Sequence, residues 1–203
     1  MNLRSTVFAL LLACGISAPA LAKVAVGEAA PDFSLTDSNG KTQTLSQYKG
    51  KIVVLEWNNP ECPFVGKHYG GGNMQKQQAD ATAAGVIWLT INSGAEGKQG
   101  DLDGAGANAY IAKVGARQTA YLLDPTGSAG HSYGAKTTPH MYVIDQQGVL
   151  RYMGGIDSIA STDKSDLAKA TQYVPQVLAE LKAGKAVSVT TSQPYGCSVK
   201  YGS

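Results

Sequence analysis

Cysteine, histidine and charge are all scarce in this chain. Of 203 residues only three are Cys and three are His, and Lys+Arg number 17 against 15 Asp+Glu. A formal net charge of +2 suggests neither a nucleic acid nor an anionic membrane as partner. No segment has the ~20 consecutive apolar residues that a membrane-spanning helix needs. The glycine runs at 70–72 and 94–106 lack the Lys-Ser/Thr ending and the strand–loop–helix setting of a phosphate loop, so neither a nucleotide nor any other cofactor is expected. No internal repeat is visible, and no linker splits the chain beyond residue 22.

Residues 1–22 read as an export signal. Arg4 supplies the positive start, Val7 to Ala13 a short apolar core, and Ala20-Leu21-Ala22 a small-x-small cleavage site before Lys23. The expected location is periplasmic or secreted. Leu11-Leu12-Ala13-Cys14 loosely resembles a lipoprotein signal with Cys14 lipidated, but Leu12 is unusual there and soluble export is the favoured alternative. Cleavage removes Cys14. Cys62 and Cys197 then remain in a compartment where a disulfide is permitted. The expected organisation is a signal over 1–22, one domain over 23–186, and a tail over 187–203 that carries Cys197.

The pattern along the chain alternates strands and helices. Pro31 to Tyr48 reads as a hairpin around an Asn39-Gly40 type I′ turn. Ile52 to Trp57 is apolar except for Glu56, which suits a strand buried on both faces. A helix follows Cys62, and Asn73 is expected to cap a second helix that Gly85 ends. Val86 to Asn92 is another buried strand, Ser93 to Gly106 a mobile glycine-rich loop, and Ala107 to Val114 a short helix. Ala120 to Leu123, Met141 to Ile144 and Val149 to Met153 are strands, the last two joined by a hairpin at 145–148. Ser165 to Ala183 is the last helix, kinked by Pro175 or starting near it, with Gly184 after its end. No helix is expected in the tail. Strands alternating with helices argue for an α/β sandwich whose early strands are parallel.

Cys62 lies where a buried strand hands over to a helix. The positive end of a helix dipole favours a thiolate, which is the nucleophile. Pro63 suits the first helical position, and Lys67 adds positive charge nearby. A lone nucleophilic thiol that opens a disulfide needs a second thiol to resolve the mixed disulfide, and Cys197 is the candidate. Gly196 gives the tail local freedom. The alternative is a static Cys62–Cys197 staple, which in the chain-entropy model stabilises by about 4–5 kcal/mol. Glu56 either faces solvent or is buried.

The element order, with a cysteine at the end of a central strand, resembles the thioredoxin fold, a three-layer α/β sandwich here preceded by the hairpin. APDFSLTDSNGKTQTLSQYKGKIVVLEW and TTPHMYVIDQQGVLRYMGG resemble the peroxiredoxin/redoxin (AhpC/TSA-type) branch. CPFVGKHY with the terminal PYGCSVKY is similar to a peroxiredoxin-like subgroup with one active-site cysteine and a C-terminal Tyr-Gly-Cys tail. The resemblance implies a thiol-based oxidoreductase. Cys62 would be the nucleophile, and Thr138-Pro139 a cis-proline site whose backbone pairs with a protein disulfide or dithiol substrate. It also implies that a buried acid such as Glu56 can accept a proton. Peroxide reduction is the second implied activity, but the family's peroxide-binding Pro, Thr and Arg are replaced at Leu55, Asn59 and Pro139, with Asn59 left as a hydrogen-bond donor. The second cysteine of a thioredoxin motif is Val65.

His68, His131 and His140 complete the inventory. His68 points about 120° away from Cys62 on an ideal helix, so a metal site is disfavoured, although a copper chaperone of this fold class uses two cysteines and a histidine. His140 follows Pro139 and is the best placed to tune Cys62 or take its proton. A non-catalytic or metal-binding protein with a stapled tail is the remaining alternative. The oligomeric state has no sequence signature.

Overall fold

The structure is a computed structural model and describes residues 24–202. The expected export signal, the expected cleavage site and Cys14 therefore lie outside the described residues. The strands are β1 (Ser34–Asp37), β2 (Thr42–Thr44), β3 (Val53–Trp57), β4 (Ile87–Asn92), β5 (Ala120–Leu123), β6 (Thr137–Thr138), β7 (His140–Ile144), β8 (Leu150–Gly154) and β9 (Cys197–Ser198). The α-helices are α1 (Pro63–Gly70), α2 (Asn73–Ala83), α3 (Gly104–Val114), α4 (Ser128–Tyr133) and α5 (Tyr173–Lys182). Seven strands form one sheet in the order β2-β1-β5-β4-β3-β7-β8. β3, β4 and β5 are parallel, and the flanking pairs are antiparallel.

Period-two alternation sorts β3 and β7 between two cores. Val53, Leu55 and Trp57 pack with Tyr142 and Ile144 on one face, under Tyr133 and Ala129 of α4. Val54, Met141 and Val143 face the other way, under Val65 and Tyr69 of α1, Met74 and Ala81 of α2, and Val174 and Val177 of α5. The central strands are apolar throughout because both faces are covered. Helices on both faces of the sheet give the thioredoxin-like three-layer sandwich that the sequence implied. Each core is dense enough that truncating a fully buried side chain such as Leu55 to Ala would cost about 2–5 kcal/mol.

Several local expectations need correction. The Asn39-Gly40 turn is not type I′: only Gly40 has positive φ (79°). Instead, Asp37 Oδ1 accepts from the Asn39 and Lys41 amides, each at 2.9 Å, and this organises the turn. Gly72, not Asn73, is the N-cap of α2; Asn73 is already the first helical residue, and its Nδ2 is engaged with His68 and Gln172. The last helix is two pieces, a 3₁₀ turn over Lys164–Ala168 and then α5, with Pro175 inside the first turn of α5, where its missing N–H costs nothing. α4 has no counterpart in the sequence reading.

The glycine-rich segment after β4 is not a free loop. Asn92 Nδ2 donates to the Gly100 carbonyl at 2.7 Å, and the Ala95 amide donates to the Lys200 carbonyl at 2.9 Å. Asp103 then caps α3, with its side chain accepting from the Gly106 amide. Among the described residues, no helix is long and apolar enough to cross a membrane.

Candidate active site

β3 ends at Trp57, and Asn58 to Glu61 carry the chain over the sheet edge to Cys62. Cys62 is the N-cap of α1 (φ −80°, ψ 122°), and Pro63 holds the first helical position. The Cys62 amide donates to the Asn59 carbonyl at 3.0 Å, which fixes the turn. The residue is 1 % exposed, and its Sγ lies 3.0 Å from the Thr138 carbonyl oxygen. The Thr138–Pro139 peptide is cis, as the resemblance implied. β6, which ends at Thr138, lies outside the main sheet and pairs with β9 of the tail.

That pairing brings the two cysteines together. Thr138 and Cys197 are antiparallel register partners. Both thiols are free, Cys62 Sγ meets the carbonyl of Thr138, the register partner of Cys197, and Cys197 packs against the core cluster that contains Cys62. Burial pushes the Cys62 thiol up, but the Cys197 thiol, the Val65 amide, the Thr138 hydroxyl and the Cys197 amide pull it down, and the net position is below the ordinary value of 9.0. The Thr138 hydroxyl has no partner in the hydrogen-bond network and is buried, so a thiolate on Cys62 gives it an acceptor. Cys197 goes the other way. Burial, together with the neighbouring Cys62, pushes it up to about 11. The pair is therefore polarised into one thiolate-forming member and one proton-holding member.

Gly196 serves a different purpose from the flexibility expected of it. Its φ of 131° suits glycine, and a Cβ at this position would run into the Thr138 carbonyl oxygen. The residue allows close approach. The tail is held before and after this point. Tyr195 donates to Asp157 Oδ1 and lies 3.1 Å from His68 Nε2, and its ring meets Phe64 edge-on. The Val199 amide donates to the Lys136 carbonyl at 3.1 Å, and Tyr201 stacks on His131 with ring centroids 4.1 Å apart.

The other sequence candidates divide. Glu56 is fully buried, not solvent-facing. It accepts from Asn58, Tyr69, Gln78, Trp88 and Thr90 at 2.9–3.1 Å. Burial raises its pKa above 4.5 against the opposing pull of these donors. Lys67 is buried and committed to Asp157 (3.4 Å) and to the Ile159 carbonyl (3.0 Å), so its charge is spent on that loop and the tail. Asn59 ties its amide to backbone on both sides, Nδ2 donating to the Gln99 carbonyl and Oδ1 accepting from the Glu61 amide.

His140 is misplaced in the sequence reading. It shares its face of β7 with Tyr142, whereas Cys62 packs with Met141 and Val143 on the other face. Its Nδ1 meets the Tyr142 hydroxyl at 3.1 Å and the Lys136 amide at 3.3 Å. Being next to the cis-proline in sequence puts it on the wrong side of the sheet, since successive residues of a strand alternate. It lines a cavity of about 790 Å3 with Tyr133, Lys136 and Met153, and Cys62 does not border that cavity. His68 is also away from the thiol, buried between Asn73 and Tyr195, and burial lowers its pKa to about 4. Among the described residues no three His, Cys, Asp or Glu side chains gather as metal ligands.

Sequence reasoning missed Asp157, the hub that Lys67, His68 and Tyr195 share. Nothing in its neighbourhood marks it. Tyr195 carried a signal in its place two residues before Cys197.

The chain is similar to proteins of two named activities. It is 35 % identical over 118 residues to the thiol-disulfide oxidoreductase ResA of Geobacillus kaustophilus, covering 51 % of this chain and 66 % of that protein. It is 28 % identical over 143 residues to the chloroplastic peroxiredoxin Q of Triticum aestivum, covering 64 % of this chain and 59 % of that protein. The chain thus spans less than two thirds of either relative. In fold it matches a hypothetical protein of Sinorhizobium meliloti with a TM-score of 0.75 at 24 % identity, over 89 % of this chain and 97 % of that one. Residues 26–153, which include Cys62, the cis-proline and six of the seven strands of the main sheet in full, match the AhpC/TSA family, and the chain belongs to that family.

Proposed function

We infer that this protein is an exported thiol–disulfide oxidoreductase acting on protein disulfides or dithiols, with Cys62 as nucleophile and Cys197 as resolving cysteine. The observation that supports this reading is the strand pairing of Thr138 with Cys197, because the Thr138 carbonyl is also the partner of Cys62 Sγ. Residues 23–186 form the domain, and 187–203 the tail that supplies the second thiol. Export rests on the sequence of residues 1–22.

In the proposed cycle the Cys62 thiolate attacks one sulfur of a substrate disulfide. A Cys62–substrate bond forms, the substrate S–S bond breaks, and the other substrate sulfur leaves as a thiolate. Cys197 gives its proton to a departing thiolate and attacks Cys62 Sγ. The Cys62–Cys197 disulfide forms and the second substrate thiolate leaves. The substrate has gained two electrons and the pair has lost two. A dithiol reductant restores the pair by the same steps in reverse. Lowered and raised thiol pKa values suit attacker and resolver in that order.

Peroxide reduction is the second reading, favoured by the relative of that name. Leu55 is an apolar side chain fully buried in the core, and the Asn59 amide is tied to the backbone of Gln99 and Glu61. The test is a redox titration of the full mature chain, trapping free thiols and reading intact mass. A reversible Cys62–Cys197 disulfide between about −120 and −270 mV is expected. A disulfide more stable than about −300 mV would mean a structural staple. Failure of the pair to form, with peroxide consumed by Cys62 alone, would favour the second reading.

A further inference from the structure

The tail occupies the place where an extended substrate would lie, and it shows what that place accepts. Its backbone pairs with Thr138, its cysteine meets Cys62, and its Tyr195 fills a cleft two residues upstream. The cleft is specific in chemistry. Phe64 meets Tyr195 edge-on with ring centroids 5.8 Å apart, and the Lys67 ammonium lies 5.6 Å from the Tyr195 centroid. Asp157, 2 % exposed, accepts the phenol hydrogen, while His68 Nε2 lies 3.1 Å from the phenol oxygen. Each contact suits a phenol, and an aliphatic side chain would leave Asp157 Oδ1 with one donor fewer.

We propose that the cleft between Phe64, Lys67, His68 and Asp157 is a specificity pocket for a tyrosine two positions before the reacting cysteine of an extended polypeptide substrate, with the tail as its resident occupant. The proposal rests on the thiol–disulfide reading above. It makes Tyr195 a competitor of incoming substrate and Asp157 the reader of its hydroxyl. Gly196 defines the residue between them, because a side chain there would strike the Thr138 carbonyl. The preferred segment is therefore Tyr-Gly-Cys.

The test uses the full mature chain and the synthetic peptide Pro-Tyr-Gly-Cys-Ser-Val, its cysteine carried as a mixed disulfide with a coloured aromatic thiol. Cys62 attacks the peptide sulfur, the peptide–aromatic S–S bond breaks, and the coloured thiolate leaves with the electron pair. Peptides with Phe or Ala in place of Tyr are compared, with a Cys62→Ser chain as blank. Thiolate release from the Tyr peptide is expected to be about tenfold faster than from the Ala peptide, with Phe between them, as befits one hydrogen bond to a charged group. A Tyr195→Ala chain, with its pocket vacated, should react faster with all three and keep the order. Equal rates for all three peptides in both chains would overturn the pocket while leaving the exchange reading intact. Release no faster than from the Cys62→Ser blank would overturn the exchange reading, and the pocket with it.

Discussion

Glu56 and Asp157 are both carboxyl groups with almost no exposure, and both touch α1, yet they are held in opposite ways. Glu56 is surrounded by neutral donors from β4, α1, α2 and the turn after β3. Asp157 faces a lysine and takes a phenol from the tail. Neutral donors compensate a buried acid only in part, and the proton becomes the remaining means of relief, which is why its pKa rises. A buried cation compensates the charge directly, and the acid can then also accept from the tail. One acid locks secondary structure together; the other ties the tail to the domain.

The largest break in this comparison should come from Asp157→Ala. It leaves the Lys67 ammonium buried without its counter-charge, at a cost of about 3–5 kcal/mol. Urea unfolding should show that loss, and alkylation of Cys197 should speed up as Tyr195 loses its anchor. A loss of stability with Cys197 still protected would separate the ion pair from the tail.

Glu56→Gln should cost somewhat less, about 2–3 kcal/mol, because its amide hydrogens meet a ring of donors. The sign with pH discriminates further. The raised pKa of Glu56 means that its share of stability is fully present below 4.5 and is lost as pH rises through its folded value. Glutamine does not titrate, so the gap between wild type and variant should narrow as pH rises. His68 and His140, both lowered to about 4, act in the opposite sense, losing their share as pH falls from 6.5, and they cancel between the two chains. A gap that widens with pH would mean that the five donors outweigh burial.

Gly196→Ala should have the smallest effect on stability, about 1 kcal/mol, and a clear local one. The added Cβ lifts β9 from Thr138, so Cys197 should alkylate faster and the Cys62–Cys197 disulfide should form more slowly. Unchanged rates would mean that the tail approaches Cys62 by another path.

Much of this was legible from residues alone, for definable reasons. The buried strands announced themselves because Val, Ile and Leu run without alternation through residues covered on both faces. Cys62 was legible as the junction of strand and helix, and Thr138-Pro139 through family resemblance. What escaped was mostly a matter of direction and distance. His140 was read by its proximity in sequence to Pro139, but one step along a strand reverses the face. Lys67 was read as a free charge because nothing before the fold brings Asp157 within reach of it. The glycines at 94–106 suggested freedom, yet the side chains of Asn92 and Asp103 hold that segment through three hydrogen bonds with no sequence period.

The tail does not end at Cys197. Its Lys200 carbonyl receives the Ala95 amide, and Tyr201 covers α4 through His131 and the Ala135 carbonyl. A strand that is lifted at one end pulls on whatever its far end is tied to. A buried sulfur is in this way joined, through the tail and one backbone hydrogen bond, to the exposed turn at 96–99, so cleavage of that turn by a protease becomes a readout of whether β9 has lifted.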